Sequence, residues 1–318
     1  MSAARHEQAM TETPDTPPGG GRPSRFPTDA TMFFCIGAQK AGTTWLHDYL
    51  SRSPEVHFSR VKELHYFDVR ARRHLQALPE RIKAIHRLAD RLDPHKPRLN
   101  KALVDQLRDA AELLSIHTGP EMGEDRHDPY LDYLLKGRTT QPVVGDITPS
   151  YAMLSREHFA EMAEIGQARF LFILRDPVSR MWSQVRMRVS ANAKEDLDPE
   201  EMLRRCSDRV RGLENIEVGP LTGRAGYLRT ITELEAAVPA ERILHVFYEE
   251  LFTGPATARI CDFLGIPHIP PETSNRVNEG TPIALPDDIR AILRRALDAE
   301  YEGIRARFGA RVPASWQD

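Results

Sequence analysis

Phe33-Phe34-Cys35-Ile36-Gly37-Ala38-Gln39-Lys40-Ala41-Gly42-Thr43-Thr44-Trp45-Leu46 is the stretch from which the rest of the chain can be read. The apolar run from Met32 to Ile36 predicts a buried strand. A glycine-bounded loop follows, and the apolar spacing from Thr43 to Leu50 predicts a helix. Strand, loop and helix in this order make a phosphate cradle, because a helix N-terminus presents open N–H donors and the positive end of a dipole. Gly37 and Gly42 let the backbone approach an anion closely. A nucleotide-hydrolysing loop places its lysine directly after the second glycine and a hydroxyl next to it. Here Thr43 follows Gly42, and the only lysine of the loop, Lys40, stands two residues before that glycine. Such a loop suits a single 5′-phosphate better than a triphosphate with its metal.

The segment Gly37 to Leu46 resembles the 5′-phosphosulfate loop of sulfotransferases that use 3′-phosphoadenosine 5′-phosphosulfate (PAPS). The resemblance implies that Lys40, Ala41, Gly42, Thr43 and Thr44 hold the 5′-phosphosulfate. It also implies that Trp45 lies against the adenine and that no metal is required. Downstream comes Val61-Lys62-Glu63-Leu64-His65-Tyr66-Phe67-Asp68. Flanked by Leu64, Tyr66 and Phe67, the Glu63 carboxyl is expected to be partly desolvated, which raises its pKa toward that of a general base. On the residues alone, the plainer reading of Glu63 is a surface charge at the edge of an aromatic-lined strand end. The segment is similar to the Lys-Glu-x-His-[Phe/Tyr]-Phe-Asp motif of Golgi-type and bacterial carbohydrate sulfotransferases, whose glutamate is the catalytic base. That similarity makes Glu63 the candidate base and His65 the second choice.

Two further strands end in motifs. Val143 to Ile147 leads into Thr148-Pro149-Ser150-Tyr151, and this end resembles the family's Glu-Lys-[Thr/Ser]-Pro-x-Tyr segment, with Asp146 for the Glu and Ile147 for the lysine. Ala168 to Leu174 is a continuous apolar run, as in a parallel sheet covered on both faces. It ends in Arg175-Asp176-Pro177, with Ser183 eight residues beyond the arginine. A loop arginine and a hydroxyl two helical turns on can converge on one anion; an Arg–Asp turn capping a helix is the plainer reading. The pattern resembles the family's 3′-phosphate site. Ile243 to Tyr248 is a strand whose Tyr248 corresponds to an adenine contact in some family members. Asn275 to Gly280 matches a loop that closes over the nucleotide, with Arg276 as its basic residue.

Between these motifs lie two amphipathic stripes, Leu75 to Leu92 and Leu103 to Leu114, separated by Pro94 and Pro97 and expected to face the core. A short helix carrying Tyr130 and Tyr133 follows, near where the family often has an aromatic beside the acceptor. Arg180, Arg186 and Arg188, continued by Arg204, Arg205, Arg209 and Arg211, form a basic helix face, read as solvated surface or as an anion approach path. Pro286 precedes a long terminal helix. Residues 1–30 are read as a disordered tail, 31–318 as one sulfotransferase domain, and 70–137 as a helical acceptor-side insertion.

The chain of 318 residues has 41% hydrophobic and 28% charged residues and a net charge of −3, which argues against general nucleic-acid binding. Cys35, Cys206 and Cys261 are far apart and read as reduced thiols. No apolar run reaches the length of a membrane span and no signal-peptide core is present, so a cytoplasmic location is expected. The expected fold is α/β: a single domain with a central parallel sheet flanked by helices, the P-loop nucleotide-kinase-like fold of sulfotransferases. The implied activity is sulfuryl transfer from PAPS to a hydroxyl of a small molecule, a glycan or a lipid head group. The competing readings are an ATP-dependent small-molecule kinase and a non-catalytic protein that binds a 3′,5′-bisphosphate nucleotide.

Overall fold

Five strands form one all-parallel sheet in the order β2-β3-β1-β4-β5. They are β1 (Thr31–Gly37), β2 (Val56–Phe58), β3 (Val143–Ile147), β4 (Arg169–Leu174) and β5 (Ile243–Phe247). The computed structural model describes residues 25–72, 76–119, 127–193, 195–212, 226–271 and 283–316. Arg276 and its loop, Leu75, and residues 1–24 of the expected tail lie outside the described residues. The chain leaves β1 toward β2, returns through β3, and then crosses to β4 and β5 on the other side. This reversal opens a crevice at the carboxyl ends of β1 and β4, where ligands of open α/β sheets sit. The phosphate loop leaves β1 at that crevice, and Arg175 leaves β4 there.

Burial explains why these runs are strands. Met32 to Ile36 and Phe170 to Leu174 are fully buried, as expected when helices cover both faces of a parallel sheet. Phe34 of β1 stacks on Phe170 of β4 at 5.4 Å, and Phe67 meets Phe34 edge-on at 5.8 Å. Helix α1 (Thr43–Leu50) starts at Gly42, whose φ of 82° is left-handed. The conformation favours glycine, and a Cβ there would lie 2.8 Å from Leu251 Cδ2, so any larger residue would also have to displace that side-chain tip. Helix α7 (Pro177–Asn192) starts with proline behind an Asp176 cap, whose carboxylate accepts from Ser179 N–H at 2.7 Å.

Several expectations are corrected by packing. α3 (Ala77–Ala89) and α4 (Pro97–Thr118) form a helical pair. Leu103, Leu113 and Ile116 of α4 are buried, but α3 buries only Ala77 and leaves Ile82 43% exposed. The α3 stripe therefore lies against α4 at the periphery and does not face the core. Tyr130 and Tyr133, on α5 (Asp128–Leu134), are buried in the main core, where Tyr130 stacks on Tyr66 at 4.5 Å. The terminal helix is broken into Asp287–Ala296 and Asp298–Phe308. Arg180 is fully buried and so leaves the basic face. Within α8 (Pro199–Arg211), Arg204 and Arg205 are paired with Glu201, and Arg211 pairs with Asp208 and Asp288. The three cysteines are buried and free. No helix among the described residues is long and apolar enough to cross a membrane.

Candidate active site

The turn from β1 into α1 is tied to the neighbouring strand. Ala38 N–H donates to the Ile173 carbonyl at 2.8 Å, and Leu46 N–H closes the first helical bond on Gly42 at 3.0 Å. No side chain caps α1, so its first amides retain their donor capacity. The Arg175 guanidinium bonds to the Lys40 carbonyl at 2.7 Å and stacks over the Tyr248 ring at 4.4 Å. Tyr248 also lies 3.2 Å from where a Gly42 side chain would begin. Lys40, Gly42, Arg175 and Tyr248 are thus gathered around one loop. Burial, then the nearby charges of Arg175 and Arg186, lowers the Lys40 pKa. Arg175 repels both Lys40 and Arg186 here, and a bound anion would relieve that repulsion.

The Glu63 segment is fastened to this loop through Lys62. Lys62 Nζ donates to Thr44 Oγ1 at 2.8 Å and lies 3.5 Å from Glu63 Oε1. On the other side, His65 Nε2 is 3.7 Å from Glu63 Oε2. His65 Nδ1 lies 2.8 Å from Asp68 Oδ2 and 3.0 Å from Ser150 Oγ, and Ser150 also donates to Asp68. Thr44, Lys62, Glu63, His65, Asp68 and Ser150 make one polar chain running from the phosphate loop to the end of β3.

The electrostatics differ from the sequence reading. Burial pushes the Glu63 carboxyl up, but the His65 imidazolium and the Lys62 ammonium outweigh it, and its pKa is lowered. The expected raised carboxyl is corrected accordingly: opposite charges outweigh desolvation. Burial disfavours His65 charge, yet Asp68 and Glu63 raise its pKa to about 9, so it is an imidazolium at neutral pH. Asp146 is buried and accepts from Thr148, Tyr130 and Tyr151 at 2.6, 2.9 and 2.9 Å. Burial raises its pKa in spite of these bonds.

Two of the other sequence candidates, Trp45 and Ser183, are buried side chains. Trp45 is 6% exposed, stacked on Tyr49 at 5.2 Å and edge-on to Phe252 at 4.9 Å. Ser183 is buried within α7, while the Arg175 guanidinium is engaged by Lys40 and Tyr248. A cavity of about 420 Å³ opens beside Arg175, lined among others by Ser179, Tyr248, Arg290 and Arg294. Lys62, Asp68 and Ser150 were not singled out in the sequence as site residues. The spacing of Asp68 three residues after His65 was a usable signal; the Ser150 contact spans 82 residues and left none.

A family model described as "Sulfotransferase family" matches residues 33–270. Over 175 residues the chain is 27% identical to carbohydrate sulfotransferase 15 of Homo sapiens, covering 52% of this chain and 28% of the relative. The Rattus norvegicus protein of the same name matches to the same extent. The match therefore spans little more than a quarter of these curated relatives. The crystal structure of a sulfotransferase from Alicyclobacillus acidocaldarius superimposes with a TM-score of 0.58 at 22% identity, covering 90% of this chain and 98% of that one. It shares the fold. With the family model matched from the first strand through the fifth and beyond, the chain belongs to the sulfotransferase family.

Proposed function

We propose that this sulfotransferase moves the sulfuryl group of PAPS to a hydroxyl of a sugar, a lipid head group or a small metabolite, with Glu63 as the base. One observation carries the reading: Lys62 bonds the phosphate-loop hydroxyl of Thr44 and also pairs with Glu63, so the carboxylate is anchored beside the cradle. The name of the human and rat relatives favours a sugar hydroxyl among the acceptors.

The residues present fit the donor. A glycine cradle that a Cβ would fill, an uncapped helix start, and the cations Lys40 and Arg175 suit a bound phosphate. Lys40, Ala41, Gly42, Thr43 and Thr44 would hold the 5′ side, and Arg175 with Ser183 the 3′-phosphate. Trp45, Tyr248 and Arg276 would contact the nucleotide. When bound, PAPS supplies the sulfuryl group and a phosphate leaving group. Glu63, kept ionised, accepts the acceptor hydroxyl proton. Lys40 offsets negative charge growing on the leaving oxygen, the kind of preorganised stabilisation that contributes most in such transfers. The helices of residues 70–137 would face the acceptor.

Calorimetry with 3′,5′-adenosine bisphosphate and with ATP plus Mg²⁺ tests the donor site. Wild type should prefer the bisphosphate, and Arg175→Ala should weaken it by roughly tenfold or more, as for a lost Arg–phosphate bond. Tighter binding of ATP with Mg²⁺, or an Arg175→Ala variant of unchanged affinity, overturns the proposal.

A further inference from the structure

Glu63 and His65 both have left-handed backbone, with φ of 59° and 57°. For residues with side chains this conformation is strained and persists only where the surroundings enforce it. The enforcing bonds are visible. Arg81 of α3 donates to the Glu63 carbonyl, and His117 of α4 contacts the Leu64 carbonyl through Nε2 at 2.8 Å. Tyr66 N–H donates to the Tyr151 hydroxyl at 3.1 Å. Two of these three clamps come from the helical pair outside the sheet.

His117 is only 4% exposed, and its Nδ1 has no hydrogen-bond partner among the described residues. Its one N–H is therefore on Nε2 and is directed at the loop. Burial and the Arg81 guanidinium hold its pKa at about 4, so the ring is neutral at physiological pH. Helix α3 buries only Ala77, so apolar packing alone gives little reason for its seat beside the loop; the Arg81 bond supplies one. Turning either carbonyl would swing Glu63 away from Lys62 and His65.

We propose that the α3–α4 pair positions the Glu63 carboxylate, with Arg81 and His117 as positioning residues that fix the Glu63 and Leu64 carbonyls. The inference rests on the reading of Glu63 as the base. It makes the helices expected on the acceptor side part of the apparatus that aims the base, so contacts made by an acceptor on the α3–α4 pair reach the chemistry through two hydrogen bonds, one from each helix.

The His65 imidazole is the reporter, followed by NMR titration of the full chain. It faces Glu63 and Asp68 on its own segment, Ser150 and Asp146 at the end of β3, and His117 on α4. Because His117 is neutral there, His117→Leu changes no charge above about pH 6. The His65 midpoint should nevertheless fall from about 9 by roughly one unit or more as Glu63 moves away. His117→Gln, which keeps an N–H donor, and Arg81→Lys should hold the wild-type midpoint. Affinity for 3′,5′-adenosine bisphosphate should stay within about twofold in all of them. An unchanged midpoint in folded His117→Leu overturns the inference. If that variant does not fold, Arg81→Leu decides: losing a cation alone raises the His65 midpoint, so a fall supports the inference, and a rise or no change overturns it. Retained turnover in Glu63→Gln would refute the base assignment instead, and the titration is read without turnover or acceptor.

Discussion

At the scale of single residues, Glu63 is an ionised carboxylate between two cations, Lys62 at 3.5 Å and the His65 imidazolium at 3.7 Å. Glu63→Gln keeps shape and most hydrogen bonding but cannot take a proton. Turnover should fall roughly 10²–10⁴-fold, the usual contribution of a positioned base, while bisphosphate affinity is retained. A variant that still sulfates at near wild-type rate would remove Glu63 from that role, and an imidazolium at His65 is no ready substitute. The lysine, glycines and hydroxyls of the phosphate loop were legible in the sequence because they are contiguous. The sign of the Glu63 shift was not, since it depends on where His65 and Asp68 point. Arg81 and His117 were illegible for a related reason: their partners lie 18 and 53 residues away, and neither sits in a motif.

At the scale of elements, the β1 loop and α7 depend on single residues at their starts. Gly42→Ala forces a Cβ within 2.8 Å of Leu251 and 3.2 Å of Tyr248 at a φ of 82°. Strain plus overpacking should cost about 1–3 kcal/mol. Bisphosphate affinity should drop with the displaced loop, and calorimetry that finds it unchanged would separate the cradle from the binding site. Asp176→Ala removes the α7 cap and a partner of the Tyr301 hydroxyl. Denaturant unfolding should show about 1–2 kcal/mol less stability; no change would mean that water replaces the cap. Strands β1 and β4 were readable because a fully buried parallel strand is a continuous apolar run with no other good explanation. The α3 stripe was misread because periodicity reports that a helix has an apolar face, not what covers it. A second helix satisfies the pattern as well as the core does.

At the scale of the whole molecule, three histidines shifted in opposite senses should give the stability of this sulfotransferase a maximum near pH 6.5. His117 and His245 are held neutral by burial, each with a pKa of about 4 against an ordinary 6.5. Below pH 6.5 the unfolded chain takes protons that the folded chain refuses, so stability falls as the pH drops toward 4. His65 works the other way: its folded pKa of about 9 exceeds the ordinary 6.5. Its contribution is complete below pH 6.5 and is lost as the pH rises through 9, because the unfolded chain has by then released its proton. Each shift corresponds to up to about 3 kcal/mol by linkage. Denaturant unfolding from pH 4.5 to 9.5 measures both limbs. His65→Gln should flatten the alkaline limb and leave the acid limb in place, whereas a fall above pH 7 as steep as in wild type would show that the Glu63–His65–Asp68 chain does not hold its proton in the folded protein.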